Sequence, residues 1–134
     1  MKKATPIITV DAIEPCLDFW TTLGLTVTVT VPHEDAMGFA MLHQGDIELM
    51  YQSRASIDAD LGESGAPAGL GAELAHGTST LFVEVDDLDA TIAALGEREV
   101  VVARRQTFYG MDEIFVRAPC GTLVGLAAKI EGSE

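Results

Sequence analysis

Apolar positions along this chain follow two periods that alternate. Residues 6–10 form a short β-branched run, which predicts a strand. The period then becomes helical. Ile13, Leu17 and Trp20 fall on one side with Leu23 a turn later, Asp11 is placed to cap the start, and Gly24 to stop it. Residues 25–31 alternate Thr with β-branched side chains and predict a strand ended by Pro32. Residues 38–43 and 46–51 predict two more strands, turning at Gln44 and Gly45.

Residues 52–77 break the pattern. Gly62, Gly65, Gly69, Gly71, Gly77 and Pro67 punctuate them, which predicts a long connection with one helical turn near 57–61. The earlier order then returns. Residues 78–85 predict a strand. Asp86 and Asp87 cap a helix carrying Leu88, Ile92 and Leu95, stopped by Gly96. Strands follow at 99–104, 113–117 and 123–129, with a loop at Tyr109 and Gly110 and a turn at Pro119 and Gly121. The halves superpose at an offset of 75, from Ile13 to Leu88, Leu17 to Ile92 and Trp20 to Leu95. The expected fold is α+β: two tandem βαβββ modules, 4–51 and 78–129, forming a curved mixed sheet around a cleft, within a single domain spanning 1–134.

Composition narrows the partners. The 134 residues hold 8 basic and 21 acidic side chains, a net charge of −13. Nucleic acids and anionic membranes bind through clustered Lys and Arg, so neither is expected as a partner. Acidity is spread evenly, 3 basic against 10 acidic residues up to Pro67 and 5 against 11 after it. No apolar run reaches the roughly 20 residues of a membrane span. The N-terminal apolar run is cut by Asp11 and Glu14 and has no cleavage site. Two cysteines, Cys16 and Cys120, form no framework of bridges, and a reducing cytoplasm is the expected compartment. Gly69-Leu70-Gly71 lacks the third glycine of a dinucleotide fingerprint. The one internal basic pair, Arg104 and Arg105, reads as a solvated strand end or an anion contact.

The repeat resembles the vicinal oxygen chelate superfamily of glyoxalases, bleomycin-resistance proteins and dioxygenases. The carriers are Leu17-Asp18-Phe19-Trp20 with Leu23-Gly24-Leu25, Gly45-Asp46-Ile47-Glu48-Leu49, Val85-Asp86-Asp87-Leu88, and Tyr109-Gly110 followed by Ala118-Pro119-Cys120-Gly121-Thr122. Metal-dependent members hold a divalent ion with four side chains. Aligned to that pattern, the four positions here are Thr5, Glu48, Thr80 and Gly125. Only Glu48 is a good ligand, and a slip of one residue, to Ala4, Pro6, Ser79, Leu81, Val124 or Leu126, does not restore the set. His33, His43 and His76 read as turn, strand-end and loop histidines. The resemblance therefore implies no metal, no other cofactor and no catalytic residue.

Strand alternation completes the expected site. If Glu48 faces the cleft, so do Ile7, Thr9, Asp46, Met50, Phe82, Glu84, Leu123 and Ala127, while Ile8, Val10, Leu81, Val83 and Val85 face the helices. Phe39 and Met41 join the cleft, and by resemblance Tyr109 stacks on a ligand at its edge. The ligand-binding residues are then Glu48, Met50, Phe39, Met41, Phe82 and Tyr109. The expected function is metal-free binding of a small molecule, with sequestration of a cationic or amphipathic compound as in antibiotic resistance. The alternative is a lyase, isomerase or dioxygenase that uses Glu48 as a base of raised pKa, or an atypical metal site. A homodimer is expected, with residues 52–77 at its interface or serving as a lid.

Overall fold

The computed structural model describes residues 2–76 and 80–132. Thr78 and Ser79, at the start of an expected strand, lie outside them, as does the side chain of Cys120. The chain divides into two compact units, Met1–Gly77 and Thr78–Glu134.

The first unit begins with β1 (Ile7–Val10) and α1 (Glu14–Thr22). A meander follows, of β2 (Thr26–His33), β3 (Ala36–Gln44) and β4 (Ile47–Ser53). Its sheet has the order β1-β4-β3-β2, with β1 parallel to β4 and the rest antiparallel. The second unit repeats this with β5 (Thr80–Glu84), α4 (Leu88–Leu95), β6 (Glu99–Gln106), β7 (Met111–Arg117) and β8 (Leu123–Lys129), in the order β5-β8-β7-β6. Each unit is thus one βαβββ module with its own four-stranded mixed sheet.

One face of each sheet is closed by the module's helix. In the first unit Ile13, Cys16, Phe19 and Trp20 are buried with Leu42, Leu49 and Tyr51. The Trp20 indole N–H donates to the Tyr51 hydroxyl at 2.6 Å, which satisfies both polar tips inside the core. Leu17, expected on this face, is only half-buried. The second unit buries Leu88 and Leu95 with Val116, Val124 and Leu126. Burying a side chain of this size contributes roughly 1.5–3 kcal/mol, so these two clusters dominate each unit's stability.

Local departures from expectation have local causes. Asp87 caps α4 by accepting from the Ala90 N–H at 3.0 Å, as its position implies. Asp11 caps nothing: the N-cap of α1 is Ile13, and Asp11 instead meets Arg54 at 3.0 Å. Pro32 does not end β2, because β2 is an edge strand with a register shift between Val31 and Pro32, so no ladder bond is lost. The connection carries two helices in place of one turn: α2 (Arg54–Glu63), capped by Ser53 accepting from the Ser56 N–H, and α3 (Leu70–Ala75). Both β6 and β7 extend two residues beyond the expected strands toward their shared hairpin.

Candidate functional sites on the helix-free sheet faces

In the first unit the ladder fixes which side chains share the face away from α1. Met50 stands opposite Ile7 and Met41, Phe39 opposite Gln52, and His43 opposite Glu48. Paired residues project to the same side. Phe39, Met41, Glu48 and Met50 are therefore on one face, joined by His43, which the sequence reading set aside as a strand-end histidine. Ile7 is 54% exposed, whereas Phe39, Met41 and Met50 are half-buried.

Glu48 is almost fully used within the chain. Its Oε2 accepts from Lys3 Nζ at 2.6 Å and Thr5 Oγ1 at 2.7 Å, and its Oε1 meets His43 Nε2 at 3.0 Å. His43 Nδ1 in turn lies 2.6 Å from the Thr28 hydroxyl. With Nε2–H turned to Glu48, Nδ1 accepts from Thr28. The Lys3 ammonium, then the Thr5 and His43 hydrogen bonds, hold the Glu48 carboxyl down at about 2. A base of raised pKa is the opposite of what this environment makes.

A catalytic divalent ion does not fit these residues. Around Glu48 only His43 adds a second ligand-type side chain, and the Lys3 ammonium already neutralises the carboxylate. At the second module's two corresponding positions stand Thr80, opposite Leu123, and Gly125, opposite Phe82, and neither is a good ligand. Among the described residues no group of three or more His, Cys, Asp or Glu could hold a metal ion.

The corresponding face of the second unit holds Phe82 and Tyr109. Phe82, Gly125 and Phe115 form one row across β5, β8 and β7. Gly125 is needed there because a Cβ would sit 2.7 Å from the Phe115 ring. The Phe82 and Phe115 ring centroids are 6.5 Å apart, and Phe82 remains 52% exposed.

Glu113 points onto this face between Arg105 of β6 and Ala127 of β8. It is fully buried. Arg105 donates to its Oε1 from Nε at 2.9 Å and from Nη2 at 2.7 Å, and Tyr109 donates its hydroxyl to the same oxygen at 2.7 Å. The bond to Glu113 raises the pKa of both donors. Beside Tyr109 the hairpin tip presents Phe108, fully exposed, with its ring edge-on to Tyr109 at 5.1 Å. Arg104 serves elsewhere, bonded to Asp112 and Asp89, so neither member of the basic pair is a bare strand-end charge. Of the residues now on the two faces, Lys3 and Phe115 were not singled out from sequence, His43 was read as a strand-end histidine, and Arg105, read with Arg104 as a solvated strand end or an anion contact, meets a carboxylate of the chain itself. Only His43 left a usable signal, since counting back across the Gly45–Asp46 turn pairs it with Glu48.

Paired βαβββ modules, each with an open sheet face opposite its helix, define a class of protein. The family model of the Glyoxalase/Bleomycin resistance protein/Dioxygenase superfamily matches residues 4–126, and the chain belongs to that superfamily. Among solved structures it is similar to a glyoxalase/bleomycin resistance protein/dioxygenase from Nocardioides, at 22% identity and TM-score 0.68, over 100% of this chain and 87% of that one. TioX from Micromonospora sp. ML1 shares 15% identity at TM-score 0.71, over 97% and 100% of the two chains. Lactoylglutathione lyase from Agrobacterium tumefaciens shares 17% at TM-score 0.66, over 96% and 94%. No curated protein matches this chain in sequence. Among the described residues no helix is long and apolar enough to cross a membrane.

Proposed function

We propose that this protein binds a small amphipathic molecule with a planar or apolar part and does not transform it, both modules serving one ligand-binding domain over residues 1–134. One observation carries this reading: on each helix-free sheet face, partly exposed apolar side chains lie beside a carboxylate whose charge the chain itself compensates. Such a surface offers apolar contact with few fixed polar groups. Methionine at positions 41 and 50 adapts to irregular shapes. The lyase, isomerase or dioxygenase alternative lacks comparable support. Glu48 is a carboxylate held down at about 2, and the residues around it do not suit a divalent ion.

A cationic ligand is compatible with the net charge of −13, but Lys3 already occupies Glu48, so the apolar contact supplies the affinity. We expect a cytoplasmic homodimer. The edge strand β6, with Val100, Val101 and Val102 exposed, supports a second copy as its neighbour. Light scattering should then give twice the chain mass of 14.2 kDa. Calorimetric titration with planar amphipathic compounds, cationic and neutral, should show binding without product. Phe82→Ser should weaken it about tenfold, the equivalent of ~1.4 kcal/mol. No heat with any compound, or steady conversion of one, overturns the proposal.

A further inference from the structure

The hydrogen bonding of Glu113 is lopsided. Three donors converge on Oε1, while Oε2 is buried and has no hydrogen-bond partner among the described residues. An ionised carboxylate has about four acceptor positions over its two oxygens, and folded proteins rarely leave a buried one unused. Arg105 and Tyr109 both bond to Oε1 alone, so Oε2 is left as an acceptor in want of a donor. No alternative donor stands across β8, where Ala127 faces Glu113. The two side chains that close over Glu113 are both accessible: the Arg105 side chain is 54% exposed and Tyr109 46%. One row along the strands lies the Phe82–Phe115 aromatic pair.

The geometry points to Glu113 as the polar anchor of a ligand site on the second sheet, its Oε2 accepting from an N–H of a planar ligand that lies against Phe82 and Phe115. The ligand class is a flat aromatic amine, amide or amidine. Tyr109 and Arg105 hold Glu113 in place from one side and leave its other oxygen to the ligand. This inference rests on the reading of the protein as a small-molecule binder, and it adds the chemistry that the bound molecule must present.

Two tricyclic dyes of the same shape test it. Proflavine carries two primary amino groups, and acridine orange carries the same groups fully methylated; both carry a protonated ring N–H at neutral pH, so the pair isolates the amino N–H as the donor to Oε2. Fluorescence titration of the full chain should show proflavine binding about tenfold more tightly, the loss expected for one hydrogen bond to a charged group. Glu113→Gln, checked for a native circular dichroism spectrum, should close the gap between the two dyes, whatever it does to the binding that both cations share. The wild-type comparison needs no variant, so it stands even where Glu113→Gln fails to fold. Equal affinity for the two dyes, or a gap that persists in folded Glu113→Gln, overturns the anchor while leaving the binding function intact. If neither dye binds, the anchor fails for the ligand class named, while the calorimetric panel decides the binding reading.

Discussion

The two modules place their buried carboxylates at different points of the same ladder. In the first, Glu48 stands on β4 opposite His43; the matching pair in the second is Leu123 opposite Arg117. In the second, Glu113 stands on β7 opposite Ala127; the matching pair in the first is Phe39 opposite Gln52. Where one unit has a carboxylate, the other has an apolar side chain. The surroundings differ as well. Glu48 has partners on both oxygens, whereas Glu113 has, among the described residues, three on one and none on the other. A duplicated fold therefore does not imply a duplicated site. The first module's charge is closed within the chain, and the second's is left half open.

The row beside each carboxylate differs in the same spirit, and altering it should have the largest effect. Ile7, Met50 and Met41 cross the first sheet where Phe82, Gly125 and Phe115 cross the second. Flexible methionines fill the first row, whereas a glycine admits an aromatic ring in the second. Gly125→Met imposes the first module's solution on the second. Its Cβ would meet the Phe115 ring at 2.7 Å, so the ring must leave its place. Overpacking of this kind costs about 3 kcal/mol. The midpoint of urea unfolding, followed by circular dichroism, should fall accordingly. An unchanged midpoint would show that Phe115 moves freely and that Gly125 is not needed for the row.

Much of this architecture was readable because it is written twice. The offset of 75 that maps Trp20 to Leu95 also maps Met50 to Gly125, and ladder register confirms the second pair. Alternation placed Phe39, Met41, Glu48 and Met50 on one face because β3 and β4 join through a short turn that preserves phase. The same reasoning stopped at Glu113, since β6 is bulged between Val100 and Arg105 and its pairing with β7 cannot be counted from the hairpin alone. Of the helices of 52–77 only one turn near 57–61 was expected, because α2 buries only Ile57 and so carries almost no apolar period. Lys3 was invisible for another reason: a lysine ahead of the first strand reaches Glu48 only through tertiary geometry, with no local pattern to announce it.

A pH series sharpens the contrast between the carboxylates. The Glu48 pKa is lowered in the folded chain, from 4.5 to about 2, so folding favours its ionised form. That contribution is complete above about 4.5 and disappears as the pH falls to about 2. Glu48→Gln lacks it throughout. Wild-type protein should therefore exceed Glu48→Gln in urea midpoint by a constant margin from pH 7 to 5, with the two curves converging between 4.5 and 2. A margin that persists at pH 2 would mean that Glu48 stabilises through packing, not through its charge on Lys3.

The smallest difference concerns the aspartates that precede the two helices. Asp87 and Asp11 look alike in sequence, each following a strand and preceding an apolar helical stripe. Asp87 caps, and replacing it with Ala should cost about 1 kcal/mol. At the other helix, Pro15 in the first turn has no N–H to satisfy, and the Cys16 N–H already donates to the Ile13 carbonyl at 2.8 Å. The donors that a cap would serve are missing or taken. Asp11 keeps only an ion pair with Arg54, with its own side chain 80% exposed, so Asp11→Ala should stay within ~0.5 kcal/mol of wild type. Thermal melts of the two variants under one condition make the comparison. An equal loss in both would mean that Asp11 supports α1 by its charge near the helix start rather than by a bond, and the two modules would then begin their helices alike.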